Sequence, residues 1–145
     1  HAFAKAQIST GINLPLKGNI FISVKDKDKP FIINFSKNLI SLGFKLICTK
    51  GTGNFLIGEG LKIRFVNKAR QGRPHIVDMI KNKDIVLIFN TTEGNQSISD
   101  SFSLRQAALH TNIPYYTTIS GCNAAVMALE TLIKSELRIK SLQSY

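Results

Sequence analysis

A short segment near residue 50, Cys48-Thr49-Lys50-Gly51-Thr52-Gly53-Asn54, has the composition of an anion-binding turn. Residues 44–47 before it are typical of a buried strand, and residues 55–57 after it of a helix start. Glycine lets the backbone approach a ligand, helix-start amides carry partial positive charge, and lysine adds a full charge. The Gly-Lys-Ser/Thr of a P-loop is missing. The competing interpretation is a turn that needs glycine only for its geometry.

The length and composition indicate one globular domain. The chain has 145 residues, of which 43% are hydrophobic, which is enough for a packed core. It has no apolar run of about 18 residues, so no membrane span or membrane partner is expected. Cys48 and Cys122 lack metal-ligand spacing, Cys48 reads as a core residue, and no metal site is predicted. Without a disulfide framework, the expected compartment is the cytoplasm.

The formal charge of +10 favours anionic partners. Nucleic acid is one candidate class, yet the lysines are scattered and do not alternate with aromatic residues as in a single-strand binder. Ile, Lys, Asn and Phe are abundant throughout, and an AT-rich genome would produce the same bias. Nucleic acid is therefore not expected as a partner.

Apolar segments alternate with helical patterns five times. The predicted strands are residues 19–24, 44–48, 62–66, 85–89 and 113–117, and helices are predicted from about residues 31, 53, 75, 100 and 121. Asp28 is expected to cap the first helix and Ser99 or Asp100 the fourth. These elements predict a three-layer, Rossmann-like α/β domain over residues 18–145, with a five-stranded, mostly parallel sheet and helices on both faces. Residues 1–17 are interpreted as the end of a preceding unit together with a linker, and residues 135–145 as a polar tail.

Ligands of such sheets bind beyond the carboxyl ends of the strands. All five loops at that edge carry hydroxyl, amide or lysine side chains, and this convergence predicts a phosphate-bearing ligand. The residues are Ser23 to Lys29, Thr49 to Thr52, Asn67 and Lys68, Asn90 to Thr92, and Thr117 and Thr118.

The same loops show no evident catalytic set. Asp and Glu total only nine. Asp26 and Asp28 lie among lysines, and Glu93 next to Gly94 reads as a turn residue rather than a general base. His75 opens a helix, where a structural role is favoured over ligand contact. The site is expected to hold an anion without transforming it.

Several segments together resemble the C-terminal allosteric domain of the bacterial carbamoyl phosphate synthase large subunit, which has the methylglyoxal-synthase-like fold. The segments are Ser23-Val24-Lys25-Asp26-Lys27-Asp28-Lys29, Thr49-Lys50-Gly51-Thr52, Val66-Asn67-Lys68, Gly72-Arg73-Pro74-His75-Ile76, Asn90-Thr91-Thr92, Asp100-Ser101 and Tyr116-Thr117-Thr118. The resemblance covers the chain from Gly18, and Ala2-Phe3-Ala4-Lys5-Ala6-Gln7 resembles the end of the preceding ATP-grasp half.

The resemblance implies a fragment of a cytoplasmic ligase. The parent family makes carbamoyl phosphate from bicarbonate, glutamine-derived ammonia and two ATP, with Mg²⁺ or Mn²⁺, for pyrimidine and arginine biosynthesis. Catalysis would lie in the missing ATP-grasp halves, and a glutaminase small subunit would be a partner, with self-association as a further expectation. This domain would need no cofactor. It would bind UMP, which inhibits the enzyme, and IMP would share the same pocket.

The resemblance also implies site residues. The effector site would include Lys29, Thr49, Thr52, Lys68, Asn90 and Thr92, with Lys50 and Gly51 in the same turn and Ser23 and Ser101 close by. Tyr115, Tyr116 and Thr117 would lie on the side of the domain where ornithine binds in the family. Ornithine-responsive members of the family carry an acidic residue directly before the Thr-Thr pair. Tyr116 holds that position here, which predicts a weak ornithine response.

The alternative is a free-standing lyase of the methylglyoxal synthase kind, acting on a phosphorylated small molecule. Such enzymes carry a catalytic Asp in the glycine-rich loop after the third strand. Residues 67–74 form that loop here and include no acidic residue, which argues against a lyase.

Overall fold

The computed structural model describes the backbone of residues 15–68, 72 and 75–143, and the side chains of these residues except 95–97, 100 and 140–143. The strands are β1 (Asn19–Ser23), β2 (Lys45–Cys48), β3 (Ile63–Phe65), β4 (Leu87–Asn90) and β5 (Tyr115–Tyr116). A 3-10 helix (Asp26–Ile32) leads into α1 (Ile33–Ser41), and the other helices are α2 (Lys50–Gly58), α3 (Ile76–Lys81), α4 (Asn95–His110) and α5 (Ile119–Gln143). The predicted linker at 1–17 falls mostly on residues 1–14, outside the described residues.

The strands form a single sheet in the order β3-β2-β1-β4-β5, and every neighbouring pair is parallel. The chain runs outward from β1 to β2 and β3, then returns past β1 to β4. The strand order therefore reverses between β1 and β4, and ligands of open α/β sheets bind beyond the carboxyl ends at such a point. The predicted fold class is confirmed, with all pairings parallel rather than most of them.

Successive residues of the central strand β1 enter two different hydrophobic clusters, as the two-residue period of a strand requires. Ile20 and Ile22 lie in the cluster that includes Leu39 of α1 and Leu129 of α5. Phe21 lies in the cluster on the other face, which α3 and α4 cover. Because both faces are covered by helices, the middle of each inner strand is a continuous apolar run, and polar residues such as Ser23 and Asn90 occur only at the strand ends.

The start of α2 differs from the prediction. The sequence predicts a helix from about residue 53, whereas α2 begins at Lys50, directly after the extended residue Thr49. Gly51 and Gly53 therefore lie inside the first turn. A Cβ on Gly53 would lie 2.5 Å from Cε1 of Phe65, so the close packing of α2 on β3 requires glycine there.

Three further predictions about helix ends are wrong. The fourth predicted helix, α4, begins at Asn95 after Gly94, whose φ of 82° favours glycine, so Ser99 and Asp100 lie within the helix and do not cap it. Asp28 does not cap α1, because it lies inside the 3-10 helix that precedes α1. Residues predicted as a polar tail are helical as far as Gln143, since Glu, Leu, Arg and Lys favour helix.

None of the helices in the described part of the chain is both long and apolar enough to cross a membrane.

Ser36 on α1 offers a test of the packing, because its hydroxyl is fully buried and has no hydrogen-bond partner among the described residues. Such a group costs free energy in the folded state, and Ala also favours helix. We expect Ser36→Ala to raise the free energy of unfolding by about 1 kcal/mol in urea denaturation. Ser41→Ala, at an exposed position of the same helix, is the control. A loss of stability in Ser36→Ala would show that the hydroxyl makes a hydrogen bond in the folded protein.

Candidate functional site

Three neighbouring strands end at the same level and bring polar side chains together. In the sheet register, Ser23 of β1 lies opposite Asn90 of β4, and Ile22 lies opposite Cys48 of β2. Thr49 follows Cys48 directly, and its Oγ1 is 2.9 Å from the Oγ of Ser23. The hydroxyls of Ser23 and Thr49 are therefore fixed at the carboxyl edge of the sheet, beside the amide of Asn90.

Hydrogen bonds between loops hold the segment after β1 in place. The N–H of Val24 donates to Oγ1 of Thr52, at 3.1 Å, and the N–H of Lys25 donates to Oγ1 of Thr91, at 3.0 Å. The N–H of Thr91 donates to the carbonyl of Ser23, at 3.1 Å. Buried threonines on both sides thus satisfy the backbone where β1 leaves the sheet.

These loops surround an open cavity of about 370 Å³. Its wall has an apolar part, formed by Phe21, Val24, Ile76, Val77 and Leu104. The rest of the wall is polar or charged and consists of Ser23, Lys25, Asp26, Lys29, Thr49, Lys50, Gly51, Thr52, Lys68, Asn90, Thr91, Glu93 and Ser101. The cavity thus suits a ligand that has both an anionic group and an apolar surface.

The N-terminus of α2 lies in this wall. Thr49 is the N-cap residue, yet its side chain makes no capping hydrogen bond, because the hydroxyl is directed to Ser23. The first N–H groups of a helix have no partner within the helix. A Cβ on Gly51 would lie 3.5 Å from Nζ of Lys29, which places this ammonium beside the helix start. Both features favour a bound anion.

The lysines after β1 are paired with carboxylates of the same chain. Nζ of Lys29 donates to Oδ1 of Asp26 at 2.6 Å, and Nζ of Lys27 is 3.6 Å from Oε1 of Glu93. The hydrogen bond and charge of Lys29 lower the pKa of Asp26. Asp26 is therefore an ionised ion-pair partner at neutral pH and a weak general base.

Asn90 connects the cavity to the edge strand β5. Its Nδ2 donates to Oγ of Ser101, at 2.9 Å, and to the hydroxyl of Tyr115, at 2.6 Å. Burial raises the pKa of Tyr115, an effect that its hydrogen bond with Asn90 partly opposes. The guanidinium of Arg105 lies 5.4 Å from the centre of the Tyr115 ring. Because both N–H groups of Asn90 are used, its orientation is fixed and Oδ1 is left as its acceptor.

The cavity wall includes most of the predicted effector residues: Ser23, Lys29, Thr49, Lys50, Gly51, Thr52, Lys68, Asn90 and Ser101. Among the residues that the structure describes, Thr92, Tyr115, Tyr116 and Thr117 do not form part of the wall. Tyr115 contacts the site through side-chain hydrogen bonds with the wall residues Asn90 and Ser101.

Two polar wall residues lie in the predicted site loops but were not among the predicted effector residues. Thr91, rather than Thr92, lines the cavity, and its Oγ1 accepts a hydrogen bond from the N–H of Lys25 at 3.0 Å. Lys25 was not singled out within its run of alternating charges. Alternation along β4 would place Thr92, and not Thr91, on the same face as Asn90, so the position of Thr91 depends on its hydrogen bond with a distant segment.

The wall can bind an anion but offers little for catalysis. No histidine or cysteine is among the described wall residues, and both acidic residues there, Asp26 and Glu93, face lysines. No group of three His, Cys, Asp or Glu in the described part of the chain could hold a metal ion. His75 instead caps α3, with Nδ1 accepting from the N–H of Asp78 at 3.3 Å, as the structural interpretation predicted.

Curated relatives resemble the chain over nearly its whole length. The carbamoyl phosphate synthase large chain of Myxococcus xanthus is 48% identical over 99% of this chain, and that of Rhizobium meliloti is 44% identical over 99%. The large chain from Pseudomonas syringae pv. tomato is 50% identical over 89% of this chain. The matches cover 13%, 12% and 12% of these relatives, so the chain spans about an eighth of their length.

The fold also has a solved counterpart. Methylglyoxal synthase from Elizabethkingia anophelis superposes with a TM-score of 0.63, covering 78% of this chain and 79% of that one. At 15% sequence identity, this likeness shows the fold alone. The family model of the MGS-like domain matches residues 31–117, which include most of the sheet and most of the cavity wall. The chain therefore belongs to the MGS-like domain family.

Proposed function

We propose that the chain is the regulatory domain of a carbamoyl phosphate synthase large chain and binds a nucleoside monophosphate, such as UMP or IMP, in the cavity. The relatives that it resembles carry that enzyme's name. The observation that carries the proposal is the position of Lys29, whose ammonium lies beside the uncapped first turn of α2. A phosphate placed there would receive a charge-assisted hydrogen bond together with backbone N–H groups.

The rest of the wall suits a nucleoside. Phe21, Ile76 and Leu104 supply apolar surface for a base, within one cavity with the lysines. Oδ1 of Asn90 is an acceptor for a hydroxyl or N–H of the ligand, because both N–H groups of that amide are already used. A free phosphate ion would use only the cationic part of the wall, whereas a nucleotide would use both parts.

Under this proposal, the rest of a longer chain carries the synthesis. That part would bind ATP with Mg²⁺ or Mn²⁺ and make carbamoyl phosphate from bicarbonate and ammonia from a glutaminase subunit. The described residues of this domain include no cluster of three His, Cys, Asp or Glu side chains that could hold a metal ion. The domain's part in the enzyme would be to change its activity when the nucleotide binds.

A lyase remains the competing function, because the methylglyoxal synthase neighbour shows that this fold accommodates one. The loop after β3, residues 67–74, has no acidic residue. The acidic residues that do line the cavity, Asp26 and Glu93, are paired with Lys29 and Lys27. A carboxylate held by an ammonium is a poor acceptor for a substrate proton. These features favour binding over lyase chemistry.

The first prediction concerns affinity. We expect UMP or IMP to bind the 145-residue chain, and Lys29→Ala and Lys68→Ala each to weaken binding by about ten- to hundredfold, the value of one charge-assisted hydrogen bond. Affinity should also fall as salt rises. Isothermal titration calorimetry measures both effects. Lys37→Ala, which removes an exposed lysine of α1 outside the cavity, should bind like wild type. Unchanged binding in both cavity variants would mean that the nucleotide binds elsewhere.

The second prediction concerns catalysis. We expect the purified chain to release no phosphate from ATP and to produce no methylglyoxal, because both acids among the described wall residues, Asp26 and Glu93, are paired with lysines. Coupled phosphate and methylglyoxal assays measure these activities. A variant such as Lys68→Ala controls for contaminants, since a genuine activity would fall with nucleotide affinity. Activity that co-purifies with the wild-type chain and is lost in that variant would contradict the proposal.

The third prediction concerns ornithine. Tyr116 occupies the position where ornithine-responsive members of the family carry an acid, and its ring packs edge-to-face on Phe89 with centroids 5.9 Å apart. Burial raises the pKa of Tyr116, so it stays a neutral phenol. We expect the full-length synthase to be inhibited by UMP with little relief from ornithine, since a lost ion pair weakens binding about tenfold or more. Synthase assays with UMP, with and without ornithine, measure this. Strong relief would contradict the prediction.

A further inference from the structure

Lys29, the cation beside the helix start, already has an anionic partner in this structure. Its Nζ donates to Oδ1 of Asp26 at 2.6 Å, three residues earlier in the 3-10 helix. The Lys29 side chain is 19% exposed, whereas that of Asp26 is 90% exposed. The ammonium therefore lies within the cavity wall, while its carboxylate partner reaches it from the solvent side.

The neighbouring lysines also form ion pairs with carboxylates of the same chain. Nζ of Lys25 lies 4.0 Å from Oδ2 of Asp28, and Nζ of Lys27 lies 3.6 Å from Oε1 of Glu93. The hydrogen bond and charge of Lys29 lower the pKa of Asp26. Asp26 and Lys29 thus form a distinct pair within this segment, and what Asp26 does to Lys29 can be tested by itself.

We propose that Asp26 competes with the ligand's phosphate for Lys29 and so sets the affinity of the cavity below what its lysines alone would give. The inference rests on the proposed function and adds a residue that acts against binding. An ammonium has three N–H donors, so both anions can reach it, yet a carboxylate and a phosphate at one nitrogen repel each other. The exposed carboxylate can rotate into water at little cost, and binding of the phosphate is accompanied by release of Asp26.

This competition explains a feature of the local sequence. In Lys25-Asp26-Lys27-Asp28-Lys29, two carboxylates alternate with three lysines, and each lysine has an ion-pair partner of the chain's own. The segment holds its cations in position when no ligand is bound. It also limits the attraction for the many phosphate compounds that would otherwise bind to a cluster of unpaired lysines.

The test begins with Asp26→Asn, which keeps the size of the side chain and removes its charge. We expect UMP and inorganic phosphate each to bind about two- to fivefold more tightly, the range for an exposed ion pair. Asp84→Asn is the matched control, because it makes the same charge change in an exposed turn before β4, at the opposite end of the strands. That variant should bind like wild type.

A double-mutant cycle separates competition for Lys29 from general repulsion. If Asp26 acts through Lys29, Asp26→Asn should give no gain when Lys29 has been replaced by Ala. A gain that persists in the Lys29→Ala background would overturn the proposed competition, because repulsion through space would then be sufficient. Asp26→Ala should repeat the effect of Asp26→Asn, which excludes a new contact made by the asparagine amide.

The possible failures are distinguishable. If wild type binds UMP, Lys29→Ala binds it more weakly, and Asp26→Asn shows equal or lower affinity, then the role of Asp26 is wrong and the proposed function stands. Lower affinity would mean that Asp26 contacts the ligand directly. If neither wild type nor Asp26→Asn binds UMP, the proposed function fails and this inference fails with it. Circular dichroism melting curves confirm that every variant is folded.

Discussion

The parallel alignment of β1 with β2 and β4 is the constraint on which the site depends. It places Ser23 opposite Asn90 and brings Thr49 within hydrogen-bond distance of Ser23. Each strand then leaves the sheet at this level, and the hydroxyls of Thr52 and Thr91 satisfy the backbone of the departing β1. A shift of one residue in register would turn every side chain of a strand to the other face, so the packing of the two hydrophobic clusters also fixes the cavity.

Much of this site could be predicted from sequence, because parallel strands must present their carboxyl ends at one edge of the sheet. Apolar segments identified the strands, and the polar residues after them gave Thr49, Thr52 and Lys68 as neighbours across the cavity. The strand order could not be predicted, since it depends on pairings between distant segments. Thr91 lay in a predicted loop, but it was not predicted as an effector residue, because the hydrogen bond that holds it joins segments 66 residues apart and leaves no local sequence signal.

The start of α2 also could not be predicted from the local sequence. Glycine is a weak helix former, so the turn after Thr49 was expected to stay irregular until residue 53. In the fold, α2 begins at Lys50 and includes both glycines, and a Cβ on Gly53 would lie 2.5 Å from Cε1 of Phe65, so glycine is used there for close packing. The consequence for function is direct. The lysine and glycine of the predicted anion loop form the first turn of a helix that lines the cavity, and the first N–H groups of a helix have no partner within it.

Proteins that share this fold can differ in the loops at the carboxyl edge of the sheet. The methylglyoxal synthase neighbour shares the fold at 15% sequence identity, which leaves the loops free to diverge while the sheet is preserved. In this chain the loop after β3 is basic, and the acidic residues of the cavity come from the loops after β1 and β4, where lysines hold them. A carboxylate free to accept a proton favours turnover, whereas one paired with an ammonium can only adjust charge. Because the sheet fixes where these loops begin, the acids of one loop can be lost or paired with lysines without altering the core.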